Sequence, residues 1–332
     1  MISVVLPVYN AQETLEESIS SIVSQTYRDF ELIIINNAST DKSNAVIQAW
    51  MDRDKRIRKV DEPRKGLVFA FNRGLEEVRG DWIARMDADD IAFPDRFQKQ
   101  INYMFNNPDV DLLGTQIKMF GAKEKITNFP LTHRGIELDL CFRNCIAHPS
   151  LMIRRERIGN FRYEAGYNIS DDYIQWIRWL NKYKFANLAE PLVQYRVHES
   201  QSTRSGSDMV KTTERKVMKE ALAHWSVYLS EEQVRIHHEF TRHINFKTKN
   251  DFTQEVKLLG QLFKKTKEHS NVESLSILRS HWNRLLNSSG ISSNRKLWAH
   301  LTSPISDMPL ALWRKSRRDR VKQILGGGGR GE

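Results

Sequence analysis

Two short apolar runs near the N-terminus most constrain the fold of this chain. The segments "ISVVLP" (2–7) and "ELIIIN" (31–36) are almost continuously hydrophobic. Strands of a parallel sheet that is covered on both faces have this composition, because neither face meets water. Between the two runs, Leu15, Ile19 and Ile22 recur at helical spacing, and Asn10 is predicted to cap that helix.

Strand and helix patterns continue to alternate along the chain. The predicted elements are a helix from Asp41, a strand over 56–60, a helix over 67–78, a strand over Trp82–Asp87, a helix from Pro94, strands over 110–120 and 149–154, a helix over 171–183 and a strand over 193–198. This order predicts an α/β fold with an open, mainly parallel sheet that is flanked by helices.

The composition changes after the last of these strands. Residues 1–200 carry 27 Lys and Arg against 28 Asp and Glu, whereas residues 201–332 carry 24 against 13. We predict a first domain over residues 1–203, a basic helical C-terminal region over 204–325 and a flexible glycine-rich tail over 326–332.

The last predicted helix, over 310–325, is both amphipathic and basic. Such a helix favours an anionic membrane surface as its partner, with packing on the first domain or a dimer contact as the alternative. The sequence has no apolar run of about 18 residues and no basic leader, and Cys141 and Cys145 are predicted to be free thiols. These features predict a cytoplasmic protein, peripheral on the inner face of the cell membrane.

Polar residues follow three of the predicted strands. They stand at 7–10, 36–41 and 87–90, and ligands of open α/β sheets bind at the carboxyl ends of strands. The sequence has no G-x-x-x-x-G-K-[ST] loop and no G-x-G-x-x-G after the first strand, so neither of these phosphate-binding loops is available. An anionic ligand would therefore need another source of positive charge.

The acidic turn "DADD" (87–90) can supply that charge through a metal ion. Asp87-x-Asp89 is predicted to hold Mg²⁺ or Mn²⁺, which in turn would hold a diphosphate, because carboxylates alone repel phosphate. The alternative is an ordinary Asp-rich turn, in which Asp90 serves as a cap.

Six segments in the same order resemble family 2 inverting glycosyltransferases of the GT-A fold. They are "VVLPVYN" (4–10), "ELIIINNASTD" (31–41), "GLVFAFNRGLEEVRGDWIARMDADDIAFPDRF" (66–97), "HPSLMIRR" (148–155), "SDDYIQWIR" (170–178) and "YRVHESQS" (195–202). The resemblance covers residues 2–202, about 60% of the chain, and implies that residues 1–203 form a GT-A nucleotide-sugar-binding catalytic domain.

The resemblance implies a binding site for a nucleoside-diphosphate sugar. Pro7, Tyr9 and Asn10 would line the nucleotide pocket, with Tyr9 against the base. Asn37 stands where the family often has an acid that contacts the base. An amide both donates and accepts hydrogen bonds, so uracil, thymine and guanine all stay open, with UDP expected first.

The resemblance also assigns the residues of the transfer step. Asp87 would contact the ribose or the metal, Asp89 would bind the metal, and His198 would complete the metal shell or contact phosphate. Arg196 would be a diphosphate partner. Asp172 occupies the position of the catalytic base, which takes the proton of the acceptor hydroxyl.

The expected function is metal-dependent, inverting transfer of a sugar to a hydroxyl of a glycan or a lipid-linked glycan, in cell-surface polysaccharide synthesis. Two alternatives stay open. A nucleotidyltransferase would normally have a Gly-rich, basic loop after its first strand, and "PVYNAQE" (7–13) has none. A basic nucleic-acid-binding protein would place its charge on the motif-bearing domain, so we expect no nucleic acid as a partner.

Overall fold

The computed structural model describes residues 1–159, 162–164, 171–198, 208–242, 246, 248–268, 272–288, 292, 296 and 299. The chain separates into two compact units, one of residues 1–131 and 146–205 and one of residues 132–145 and the chain after residue 205. The predicted helix over 310–325 and the tail over 326–332 lie outside the described residues. The division at residue 203 into a catalytic and a basic region stays a prediction.

The first unit contains a mixed sheet. The strands found among the described residues are β1 (Ile2–Val8), β2 (Phe30–Asn36), β3 (Ile57–Asp61), β4 (Trp82–Arg85), β5 (Ile91–Ala92), β6 (Leu112–Gly121), β7 (Lys125–Ile126), β8 (Met152–Arg154) and β9 (Phe185–Val197). Their order across the sheet is β3-β2-β1-β4-β8-β6-β9-β5, with β7 paired to β6. The pairs β3-β2, β2-β1, β1-β4 and β6-β9 are parallel, while β8 and the short β5 and β7 pair antiparallel.

Helices flank this sheet, as the sequence predicts. Those described in the first unit are α1 (Leu15–Val23), α2 (Ser43–Arg53), α3 (Leu67–Glu77), α4 (Arg96–Asn106), α6 (Arg155–Ile158) and α7 (Asp171–Trp179), with a 3-10 turn over His148–Ser150. All residues of β1 are buried, which is why the run carries no polar alternation. The α/β class with a mainly parallel, helix-flanked sheet is thus confirmed.

The second unit is helical. Its described helices are α5 (His133–Asp139), α8 (Asp208–His224), α9 (Glu231–Thr241), α10 (Lys249–Glu268) and α11 (Val272–Leu286). Its interior holds ion pairs as well as apolar groups, for example His237 Nδ1 at 3.0 Å from Glu255 Oε1, with both side chains buried. Cys141 and Cys145 are buried there, and neither is part of a disulfide, as predicted. No helix within the described residues combines the length and the apolar composition that a membrane span requires.

Two local predictions were wrong. Helix α1 begins at Leu15 with Thr14 at its N-cap position, so Asn10 does not cap it. Asn10 instead has a φ of +48°, a left-handed conformation that Asn tolerates better than most residues, and it turns the chain out of β1. The predicted strand over 193–198 is only the end of β9, which begins at Phe185 and runs parallel to β6.

Candidate active site at the carboxyl ends of the strands

The loops after β1 and β2 are joined by hydrogen bonds. The strands are parallel and adjacent, so both chains leave the sheet at the same edge. Asn10 Oδ1 accepts from the amide of Thr40 at 2.8 Å, and the amide of Asn10 donates to Ser39 Oγ at 3.2 Å. Asp41 Oδ2 accepts from the amide of Gln12 at 3.0 Å. The predicted nucleotide loops therefore form one connected surface.

Tyr9 lies exposed on this surface. Its side chain is 52% accessible, and Lys65 Nζ lies 5.4 Å from the ring centroid. Pro7, by contrast, is buried within β1 opposite Ile35, so its contact with the nucleotide stays a prediction. An exposed ring beside a cation at a sheet edge is available for stacking on a flat ligand.

Asn37 is buried, and its side chain makes three hydrogen bonds to the main chain of a neighbouring loop. Its Nδ2 donates to the carbonyl oxygens of Glu62 at 3.0 Å and Arg64 at 2.6 Å, and its Oδ1 accepts from the amide of Gly66 at 2.8 Å. Only 3% of the residue is accessible. A direct contact of Asn37 with the base stays a prediction; what the structure assigns to this amide is the position of residues 62–66.

We expect the substitution Asn37→Asp to destabilise the protein by about 1–3 kcal/mol. A carboxylate cannot donate, so an oxygen would replace the nitrogen that now bonds two carbonyl oxygens. Urea unfolding measures the change in the free energy of unfolding. Asn102→Asp, at an exposed helix position, is the matched control and should change it by less than about 0.5 kcal/mol. Equal effects of the two substitutions would contradict the assigned role of Asn37.

The acidic turn after β4 brings three carboxylates together. Among the described residues, Asp87, Asp89 and Asp90 each offer an oxygen within 4.8 Å of the others. Helix α1 fixes the backbone of the turn, because Ser18 Oγ donates to the carbonyl of Asp87 at 2.8 Å and Thr14 Oγ1 donates to the carbonyl of Ala88 at 2.9 Å. The cluster is thus held in shape by residues outside it.

Two buried arginines, Arg85 and Arg96, support the acidic turn and the strand that precedes it. Arg85 is 2% accessible and contacts both carboxylate oxygens of Asp87, with distances of 2.6 and 2.5 Å. Arg96 donates to the carbonyl of Arg85 at 2.8 Å, and burial together with the charge of Arg85 lowers the pKa of Arg96 to about 9. Burial also raises the pKa of Asp87, opposed by Arg85 and reinforced by Asp89. Arg85 therefore fixes the orientation of the Asp87 carboxylate.

Asp90 is the most deeply buried of the three acids. Its Oδ1 accepts from the amide of Arg196 at 2.8 Å, whereas its Oδ2 has no hydrogen-bond partner within the described part of the chain. Burial raises the pKa of Asp90 well above its usual value, and the charges of Asp87 and Asp89 add to the increase. Asp90 does not cap α4, whose N-cap residue is Asp95.

These features fit a divalent cation. An unpartnered buried carboxylate oxygen beside two further carboxylates is costly unless a positive charge lies among them. Oxygen ligands of this kind are the ones that Mg²⁺ and Mn²⁺ prefer. The residues present therefore match the donor set that the sequence predicts for a metal.

Two further predicted residues, Arg196 in β9 and His198 directly after it, lie at the acidic turn. His198 Nε2 lies 3.2 Å from Asp89 Oδ2. Arg196 Nε donates to the carbonyl of Asp89 at 2.9 Å, and its guanidinium also pairs with Glu17 and lies over the ring of Phe120. Arg196 thus supports the turn in this structure, and its contact with a diphosphate stays a prediction.

Asp172 lies in the first turn of α7 and in the same charged region. Its Oδ1 accepts from the amide of Tyr173 at 2.8 Å. Burial lowers the pKa of Arg85, but the charge of Asp87 and, more weakly, that of Asp172 raise it above its usual value. Trp176 on the same helix is fully buried, which makes it a core residue and not a platform for a sugar.

Sequence reasoning missed Tyr195 and the two arginines. Burial raises the pKa of Tyr195, and the carboxylates of the acidic turn and of Asp172 add to this effect, so its phenol lies within the field of all four acids. Arg85 had a readable signal: it stands two residues before Asp87, and alternate residues of an extended chain share a face. No sequence pattern indicated Tyr195, since its position depends on the long pairing of β9 with β6.

Comparisons with known proteins agree on one family. Residues 3–159 match the family model described as glycosyl transferase family 2. The O-antigen biosynthesis glycosyltransferase WbnJ of Escherichia coli is 37% identical over 213 residues, which are 62% of this chain and 83% of that protein. The amylovoran biosynthesis glycosyltransferase AmsE of Erwinia amylovora is 31% identical over 219 residues, 63% of this chain and 78% of that protein.

A solved structure supports the fold. The structure of S. aureus TarS 1–349 in complex with UDP has a TM-score of 0.55 and 13% sequence identity, and the match covers 98% of this chain and 92% of that one. At this level of identity the likeness concerns the fold.

Proposed function

This chain belongs to glycosyl transferase family 2, and we propose that it transfers a sugar from a nucleoside diphosphate to a hydroxyl group with inversion at the anomeric carbon. The observation that carries the proposal is the group of three carboxylates after β4, one of them with a buried oxygen that has no partner among the residues that the structure describes. Such a group, beside two connected loops at a sheet edge, suits a metal-bound diphosphate.

We propose that Asp89 and His198 hold Mn²⁺ or Mg²⁺, with Asp90 and Asp87 beside them. The 3.2 Å approach of His198 Nε2 to Asp89 Oδ2 supports this pairing. When bound, the cation would offset the negative charge of the departing diphosphate. Arg85 would keep the Asp87 carboxylate oriented toward the metal or the ribose.

The connected loops after β1 and β2 are the proposed nucleotide site. Tyr9 would stack on the base, and the turn at Asn10 would shape the pocket. Asn37 would act through residues 62–66, which it holds with three hydrogen bonds. We expect the nucleotide of the donor to be UDP, with dTDP and GDP as the alternatives.

Asp172 is the proposed catalytic base. It would take the proton of the acceptor hydroxyl while that oxygen forms a bond to the anomeric carbon and the bond to the diphosphate breaks. The amide of Tyr173 fixes one of its carboxylate oxygens. This single displacement inverts the anomeric centre and leaves the proton on Asp172.

The proposed acceptor is a glycan or a lipid-linked glycan of a cell-surface polysaccharide. Relatives named for O-antigen and amylovoran biosynthesis support this choice. We also propose that the basic C-terminal region binds an anionic membrane surface at the cytoplasmic face. Sedimentation with anionic vesicles measures this, and equal binding to neutral vesicles would contradict it.

A thermal-shift panel of UDP-, GDP- and dTDP-sugars, each with Mn²⁺ or with EDTA, tests the proposal. A ligand at 100 times its Kd stabilises the folded state by about 2.7 kcal/mol. For a domain of this size, that corresponds to a rise in Tm of roughly 5–10 °C. We expect this rise with a UDP-sugar and Mn²⁺, and its loss in EDTA. A rise that is unchanged by EDTA, or no rise with any nucleotide sugar, would contradict the proposal.

A further inference from the structure

The side chain of Asn72 binds the main chain of Tyr163 in both directions. Asn72, on α3, donates from Nδ2 to the carbonyl oxygen of Tyr163 at 2.8 Å and accepts at Oδ1 from its amide at 2.8 Å. An adjacent strand would satisfy the backbone in the same way, but residues 162–164 belong to no helix or strand. Asn72 therefore binds the main chain of this short segment to α3.

The side chain of Tyr163 links the segment to α7. Tyr163 is 4% accessible, and its ring meets those of Trp179 and Trp176 edge-on, with centroids 5.4 and 6.4 Å away. Its hydroxyl lies 2.8 Å from His148 Nε2. Burial and the charge of Arg85 keep the pKa of His148 well below its usual value, so the ring is neutral and can accept from the hydroxyl.

Glu164 adds a second connection to the same helix. Its amide donates to Gln175 Oε1 at 3.4 Å, and its carboxylate pairs with Arg178. Both partners lie on α7, whose first turn carries Asp172. The two aromatic contacts and these two polar contacts fix α7 relative to residues 162–164.

We infer that Asn72 is a positioning residue for Asp172, acting through the main chain of Tyr163 and through α7. This inference rests on the proposed function, because it assigns Asn72 to the placement of the proposed base. Asn72 has no direct part in the proton transfer. Its loss would let α7 shift, and a misplacement of about 1 Å at a reacting group lowers the rate by about 100-fold.

The substitution Asn72→Ala tests the inference. The assay measures UDP release with the UDP-sugar that binds best as the donor. We expect kcat to fall by about 10- to 100-fold. The Kd values for UDP and for Mn²⁺ should each change by less than about twofold. Asn72→Asp keeps the volume and the acceptor for the Tyr163 amide, so it should give a smaller loss. It also serves as the test if the alanine variant does not fold. Asn107→Ala is the matched control, since it removes a side-chain bond to the carbonyl of Tyr103 away from α7.

A second arm separates positioning from a general loss of structure. If Asn72 acts through Asp172, then Asn72→Ala should change the residual turnover of the Asp172→Asn variant by less than about twofold. A further tenfold loss in that background, an unchanged kcat in the single variant, or a parallel loss of UDP affinity would overturn the inference. A wild-type protein that releases no UDP would instead contradict the proposed function.

Discussion

Asp172→Asn is expected to lower kcat by about 10²- to 10⁴-fold, the range that a general base contributes, while the affinity for the donor nucleotide stays within about twofold. The asparagine side chain keeps the shape of the carboxylate and the hydrogen bond from the main-chain N–H of Tyr173. It cannot, however, take the proton of the acceptor hydroxyl. UDP release under saturating donor gives kcat, and calorimetry with UDP and Mn²⁺ gives the affinity.

Asp52→Asn, on the exposed side of α2, is the control for this experiment and should leave kcat unchanged. A variant of Asp172 with full turnover would remove it as the base. A variant that lost UDP affinity and kcat in equal proportion would point to a role in donor binding.

Asp89→Asn is expected to weaken Mn²⁺ binding in the presence of UDP by at least about 100-fold, and to lower turnover accordingly. The substitution removes one negative charge from the three-carboxylate group and the acidic partner of His198, with little change in volume. Calorimetric titration of Mn²⁺ into the protein with UDP measures the loss.

Asp95→Asn provides a carboxylate control six residues further along the same segment. Asp95 is half-buried, pairs with Lys99 and makes no side-chain cap bond to the described start of α4, so its loss should leave the Mn²⁺ affinity unchanged. An Asp89 variant with the metal dependence of the wild type would show that the acidic turn has no part in metal binding.

The sheet around the site could be predicted because its signals are local. The continuous apolar runs of β1 and β2 follow from burial on both faces, and parallel pairing then brings the ends of β1, β2 and β4 to one edge. The sequence could therefore predict that the acids at 87–90 lie at this edge of the sheet. Strand β9 was largely missed because Glu190 and Pro191 interrupt its apolar pattern, at the place where its register with β6 shifts.

Side-chain roles within the site depended on packing that sequence spacing does not encode. Asn37 stands at the position of a base-contacting residue, yet its amide groups face the backbone of residues 62–66. Asn10 has a typical N-cap identity, but a left-handed backbone and a bond from Thr40 take it away from α1. Asp90 looked like a cap in an Asp-rich turn and proved to be a buried acid.

Manganese anomalous scattering from crystals grown with UDP and Mn²⁺ tests the central claim most directly. We predict one strong peak bounded by the carboxylates of Asp87, Asp89 and Asp90, with the diphosphate of UDP bound to the same ion. A well-ordered UDP with no manganese at this turn, or manganese bound elsewhere in the chain, would contradict the account.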